Sequence, residues 1–291
     1  MGGRFAIVIR VAPRPEGHPT RGFTAPNPLR LVDTYVLVAH REQLGRASLF
    51  VDLGYGSEPV TTAESFDRFR RVSPLIRALG IEIDPERVVA AQPFQREGLE
   101  FRLGGFNLPL EAGDEPGVIR AFNVLRQYPE TSVNDALWSV SRSMPPGALL
   151  IEGTSDPYGR HVCFWVWERD GSAMPLHVRR GELPLRRKWL VFGARLHEAF
   201  SPRDIQPFLP KELIHHAEPG GALDSLFASW ERAWDAAAGR VPRDRWLAAS
   251  EALHGAGHQI DRRRGLLRRS LLAFNARRLP VLAGGHTPSP P

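Results

Sequence analysis

From residue 48 onward the hydrophobic positions follow two rhythms. Short apolar runs, Ser48-Leu49-Phe50-Val51-Asp52-Leu53, Leu99-Glu100-Phe101-Arg102-Leu103, Val118-Ile119-Arg120-Ala121-Phe122 and Ala148-Leu149-Leu150-Ile151-Glu152-Gly153, read as strands. Gly80-Ile81-Glu82-Ile83-Asp84-Pro85 reads as another, ending in acid. Between them, Phe66, Phe69, Val72, Leu75, Ile76 and Leu79 recur at spacings of three and four and predict a helix. A second helix begins near Pro85 with Glu86 in its first turn, and a third runs from about Ser132 to Ser143. Strands alternating with helices at this pitch imply βαβ units and a parallel sheet. The crossovers should be right-handed, with ligands above the carboxyl ends of the strands.

The flanks differ. Pro13, Pro15, Pro19, Pro26 and Pro28 make residues 1–46 a Pro-rich arm, which closes in a helix over Leu31–Gln43. The arm is either a lid or packing segment, or a loop whose Arg21, Asn27 and Arg30 reach over a site. After residue 160, His161-Val162-Cys163-Phe164-Trp165-Val166-Trp167 predicts a strand buried on both faces, ended by the turn residues Asp170-Gly171. Residues 176–196 add one or two strands. Leu223, Leu226, Phe227, Trp230, Ala233 and Trp234 form the apolar stripe of a helix, and a second helix covers about Arg243–His254. Gln259–Phe274 is expected to return as a hairpin around Arg264-Gly265. The organisation is an arm (1–46), a core (47–170), a C-terminal helical and hairpin region (171–282) and a flexible tail (283–291).

The most informative segment is Val51-Asp52-Leu53-Gly54-Tyr55-Gly56-Ser57, followed 26 residues beyond Gly56 by Glu82. A strand that turns sharply into a helix needs glycine where backbone angles are unusual or a ligand comes close. The helix amino end offers unpaired N–H groups, and a carboxylate at the tip of the second strand can accept both hydroxyls of a ribose. Together these features point to a nucleoside-containing cofactor.

Val51-Asp52-Leu53-Gly54-Tyr55-Gly56 resembles the first motif of class I S-adenosylmethionine-dependent methyltransferases. Gly80-Ile81-Glu82-Ile83-Asp84 is similar to their ribose-binding strand end, and Pro146-Gly147-Ala148-Leu149-Leu150 to the turn entering their fifth strand. The resemblance spans about residues 48–156. It implies an α/β fold: a Rossmann-like doubly wound, mainly parallel sheet, here with a C-terminal α+β extension. It also implies S-adenosylmethionine as cofactor, with Asp52, Gly54 and Gly56 along the methionine portion, Glu82 on the ribose, and the backbone of Gly105 and Phe106 beside the adenine. Two positions depart from the family pattern. Glu58 stands where a third glycine is usual, and Gly104-Gly105-Phe106-Asn107 replaces the acid that accepts from the adenine amino group, leaving Asn107 as its substitute. A dinucleotide fingerprint would need glycine at Pro59, which sets nicotinamide dehydrogenases aside.

Methyl transfer is an in-line displacement that asks the protein for orientation, desolvation and a base. On the strand-four rim stand Arg120, Asn123, Arg126, Gln127 and Tyr128, and on the strand-five rim Glu152, Thr154 and Asp156. Asn123 and Glu152 are the candidates facing the acceptor. Asn123 reads equally as a helix N-cap, Glu152 equally as half of a buried ion pair with an arginine, and Tyr128 as packing.

Composition changes the picture only in part. The 291 residues carry a net charge of +6, with ten Arg in residues 240–278 against Asp244, Glu251 and Asp261. RNA is therefore an open partner through the C-terminal arginines, although Arg replaces Lys throughout: Lys188 and Lys211 are the only lysines. The single cysteine, Cys163, excludes an intramolecular disulfide and a Cys-rich metal site, and lies in an apolar run as a core thiol. His215-His216 point apart on a helix, and no metal is expected. No apolar stretch approaches the roughly 18–20 residues of a membrane span, and nothing resembles a signal peptide, so a cytoplasmic protein without membrane contact is expected. The expected activity is methyl transfer to an unidentified acceptor. The alternatives are an inactive nucleoside-binding scaffold with this fold and an RNA-binding or RNA-modifying protein.

Overall fold

The computed structural model describes residues 14–19, 26–171 and 183–279. Eight strands form one sheet: β1 (Leu49–Leu53), β2 (Arg77–Glu82), β3 (Leu99–Leu103), β4 (Pro116–Phe122), β5 (Leu149–Ser155), β6 (His161–Arg169), β7 (Leu185–Ala194) and β8 (Leu271–Asn275). Their spatial order is β3-β2-β1-β4-β5-β6-β7-β8. The first five strands are mutually parallel. β6, β7 and β8 then run antiparallel, each to its neighbour. This is the expected Rossmann-like α/β sheet, mainly parallel and extended by C-terminal strands. Strand order reverses between β1 and β4, which opens a crevice at their carboxyl ends.

Alternation along the strands sends successive side chains to opposite faces. Leu49, Val51 and Leu53 of β1 join one core cluster, together with residues of helices α5 (Glu130–Ser141), α6 (Ala222–Ala236) and α7 (Pro242–Gly255). Phe50 joins the other, with residues of α1 (Arg30–Ala39), α3 (Val60–Arg70) and α8 (Arg264–Leu267). β6 is covered on both faces, Trp165 in the first cluster and Phe164 in the second, as its unbroken apolar run predicts. Trp230 and Trp246 are fully buried against each other, with ring centroids 5.3 Å apart.

Several boundaries depart from the sequence expectation. The predicted helix through Leu79 stops at Arg70, because Pro74 disfavours helical angles at Ser73. Leu75 is consequently exposed, and Leu79 lies in β2. The helix expected over Leu31–Gln43 is two helices, α1 and α2 (Arg41–Arg46), broken at His40 with φ −128° and ψ 30°. The hairpin expected across Gln259–Phe274 is reduced to one bridge between Ile260 and Phe274, and Arg264-Gly265 opens α8 instead of making a tight turn. Arg21, residues 172–182 and the tail lie outside the described residues. Among the described residues, no helix is long and apolar enough to cross a membrane.

Candidate nucleoside site

After β1 the chain turns through Gly54 (φ 72°) and Gly56 (φ 88°), a left-handed pair that side-chain-bearing residues adopt only with strain. The Gly54 N–H donates to Ile81 O at 2.7 Å, which ties the turn to the end of β2. The Gly56 N–H donates to Glu82 Oε2 at 2.9 Å. Glu82 Oε1 accepts from the N–H groups of Ile83 (2.9 Å) and Asp84 (3.3 Å), and Arg87 Nη1 stands 3.6 Å away. Glu82 is thus buried, oriented and partnered by charge. A carboxylate has about four acceptor positions, so these three N–H groups leave it capacity for a ligand hydroxyl.

Glu82 and Gly54 share the wall of a cleft of about 20 Å³ with Ile83, Gly105, Phe106 and Tyr128. Ligand pockets commonly span about 300–1,000 Å³, so this cleft is nearly closed. The N-terminal arm makes it so, because Glu16 and His18 also line it. Glu16 O accepts from the Phe106 N–H at 2.9 Å. The Tyr128 hydroxyl accepts from the His18 N–H (2.8 Å) and donates to His18 O (3.0 Å), with the two rings 3.9 Å apart. The Ser139 hydroxyl donates to Glu16 Oε2 at 2.5 Å. Asn107, the expected substitute on the adenine side, is taken by the arm: its Oδ1 accepts from the Glu16 N–H and its Nδ2 donates to Arg14 O, both at 2.9 Å. Gly105 is equally committed, since a Cβ there would fall 2.0 Å from Glu16 O.

Asp52 departs furthest from its expected role. Its side chain is buried beneath the sheet and does not line the cleft. Arg120, its register partner on β4, donates Nε to Oδ1 (2.9 Å) and Nη2 to Oδ2 (2.6 Å). The hydroxyl of Thr62 adds a further bond to Oδ2 at 2.7 Å. Arg120 is therefore an interior residue, not a rim residue. Its Nη1 reaches Asp33 Oδ1 at 2.8 Å and Ser65 Oγ at 2.6 Å. Burial alone would lower its pKa, but Asp52 and Asp33 outweigh that and keep the guanidinium charged.

Asn123 is neither free nor a helix N-cap. It adopts φ 59° and locks the ends of β4 and β5 together. Its N–H donates to Gly153 O (2.8 Å), its Oδ1 accepts from the Ser155 N–H (2.9 Å), and its Nδ2 donates to Ser155 Oγ (3.2 Å). Glu152 is buried within the sheet, and burial, reinforced by Glu212 against the opposing Arg187, pushes its carboxyl well above the usual range. It is not among the residues that line the cleft. Asp156 Oδ1 and Oδ2 accept, each at 2.7 Å, from the N–H groups of Tyr158 and His161. Glu58 is exposed. Cys163 is fully buried with its thiol pKa raised by burial, consistent with an inert core residue. His215 is exposed near Glu130 (3.8 Å) and Glu218 (3.4 Å). Sequence reasoning missed Glu16 and His18, and the one available signal was the proline-rich arm's extended, loop-like character.

No protein-family model matches the chain, and no curated protein matches it. Among solved structures, partial similarity is found to the N,N-8-amino-8-demethyl-D-riboflavin dimethyltransferase of Streptomyces davawensis, at 19% identity and a TM-score of 0.31, covering 42% of this chain and 38% of that one. Human N-acetylserotonin methyltransferase, in complex with SAM, is 19% identical with a TM-score of 0.30, covering 41% of this chain and 35% of that one. The plantazolicin methyltransferase, in complex with SAH, is 11% identical with a TM-score of 0.35, covering 44% of this chain and 47% of that one. The chain spans under half the length of each of these three structures, all of them methyltransferases.

Proposed function

We propose that the protein is an S-adenosylmethionine-dependent methyltransferase of unidentified acceptor. The observation that supports this best is the meeting of Glu82 with the Gly54–Gly56 turn on one cleft, at the point where strand order reverses. The residues suit the ribose-bearing middle of a nucleoside: an oriented carboxylate with acceptor capacity to spare, beside a glycine turn on which the Val124 side chain packs closely. When bound, the cofactor supplies the electrophilic methyl group. Glu82 would hold the ribose hydroxyls, Gly54 and Gly56 would border the chain that follows, and the Gly105-Phe106 backbone would flank the base once Glu16 and His18 yield that space. Asn123 would act by holding the β4 and β5 rims at a fixed separation, which positions whatever binds above them.

One observation favours a second reading. The arm is hydrogen-bonded into the cleft, as expected of a scaffold that keeps the fold without the chemistry. Calorimetric titration with S-adenosylmethionine and S-adenosylhomocysteine separates the two. Binding by the wild type that Glu82→Ala reduces at least tenfold supports the methyltransferase. Absence of binding at high micromolar ligand removes it in favour of the scaffold.

A further inference from the structure

His161 opens β6, His197 follows β7, and Asp204 lies in the short 3-10 turn Pro202–Phe208. One ligand atom from each, a ring nitrogen or a carboxylate oxygen, lies within 4.8 Å of the other two. We propose that these three residues bind a divalent transition-metal ion of the zinc type. The site does not depend on the reading of the nucleoside cleft.

Each group is held in orientation before an ion arrives. The His161 ring stacks on Phe200 and Phe208, with interplanar angles of 22° and 14°. Its Nδ1 stands 3.5 Å from Asp156 Oδ2, and two backbone N–H groups fix that carboxylate. A carboxylate behind an imidazole, with the other ring nitrogen turned toward an ion, is the recurrent outer-shell arrangement of metal-binding histidines. Here Nε2 is buried and has no hydrogen-bond partner among the described residues. A buried polar atom in that state is destabilising unless something satisfies it, and an ion would. Asp204 is fixed by a capping box, its Oδ2 accepting from the Ser201 N–H at 2.8 Å, which leaves Oδ1 and remaining lone pairs for coordination.

Zinc bonds of about 2.0–2.2 Å place tetrahedral ligand atoms about 3.3 Å apart, so the ion would draw the groups slightly together. His197 is exposed and can make that adjustment. Two imidazoles and one carboxylate suit zinc and leave its fourth position open. His161 pairs with Ala194 at the end of β7, beside the rim where Ser155 ends β5.

The test uses the full, untagged chain after chelator treatment. Zn²⁺ titrated by calorimetry should bind at one equivalent, and Co²⁺ should give the visible d–d absorption of a tetrahedral site. His197→Ala and Asp204→Asn should each weaken Zn²⁺ binding about tenfold or more, and Asp156→Asn should weaken it through lost orientation of His161. His197 is at the surface, so its variant tests the site without disturbing the core. Failure of the wild type to bind Zn²⁺ saturably overturns the proposal. So does binding that His197→Ala and Asp204→Asn leave unchanged, since the ion would then sit elsewhere.

Discussion

Arg120 and Asp52 face each other across β4 and β1 in a two-pronged ion pair wholly removed from solvent. The pair belongs to a longer chain of charges, because Asp33 bridges Arg120 to Arg68 through its two carboxylate oxygens. The Arg120 guanidinium also lies 5.2 Å above the Phe50 ring. Removing one member strands the others. Arg120→Met should therefore destabilise the fold by about 3–5 kcal/mol, since two buried carboxylates lose their common counter-ion. Asp52→Asn should lower stability while leaving cofactor affinity unchanged, the reverse of what a methionine-binding carboxylate would do. Urea denaturation beside calorimetry checks this. Lost affinity with intact stability would return Asp52 to the cofactor.

The arm gives a second prediction. Asn107 contributes two of its hydrogen bonds, each worth about 0.5–1.5 kcal/mol net. Asn107→Ala should thus loosen residues 14–18 by about 1–3 kcal/mol, with the core sheet unaffected. Hydrogen exchange at the Glu16 amide should accelerate accordingly while amides of β1 and β4 keep their protection. Because the arm and the nucleoside would share space around Gly105, the same variant should bind S-adenosylhomocysteine more tightly than the wild type. Unchanged exchange at Glu16 would show that Asn107 does not anchor the arm.

The parallel sheet was legible because β1, β3, β4 and β5 carry apolar runs bounded by turn residues, whereas the start of β2 reads as helix because Ile76 and Leu79 continue the three-and-four spacing begun at Phe66. The juxtaposition of Glu82 with Gly56 was legible because both are fixed by one βαβ unit. Asp52 was misleading because a strand carboxylate can turn to either face, and its partner Arg120 comes from a strand 68 residues away. The arm's seat in the cleft was hidden too, since its bonds to Tyr128 and Asn107 cross 91 to 110 residues and run mainly through backbone atoms, which any sequence supplies. His161, His197 and Asp204 lack motif spacing because antiparallel strands and a capped turn bring them together.

His40 sets the pH dependence to be measured. It is buried at the break between α1 and α2, its ring 5.6 Å from Tyr35, and neither ring nitrogen has a hydrogen-bond partner among the described residues. Burial, then the positive charges of Lys188 and Arg263 against the opposing Glu168 and Asp261, takes its pKa down to about 4. The folded chain therefore keeps this imidazole neutral where the unfolded chain, titrating near 6.5, takes up a proton. The sign follows: this stability is fully present above about pH 6.5 and drains away as pH falls toward 4. At about 1.4 kcal/mol per pKa unit the loss approaches roughly 3 kcal/mol. Urea denaturation at pH 7.5 and pH 4.5, on the wild type and on His40→Leu, isolates it from the other titrating groups. The wild type should lose about 2–3 kcal/mol more than the variant between the two conditions. Equal losses in both chains would show that His40 is charged in the folded state or reached by water.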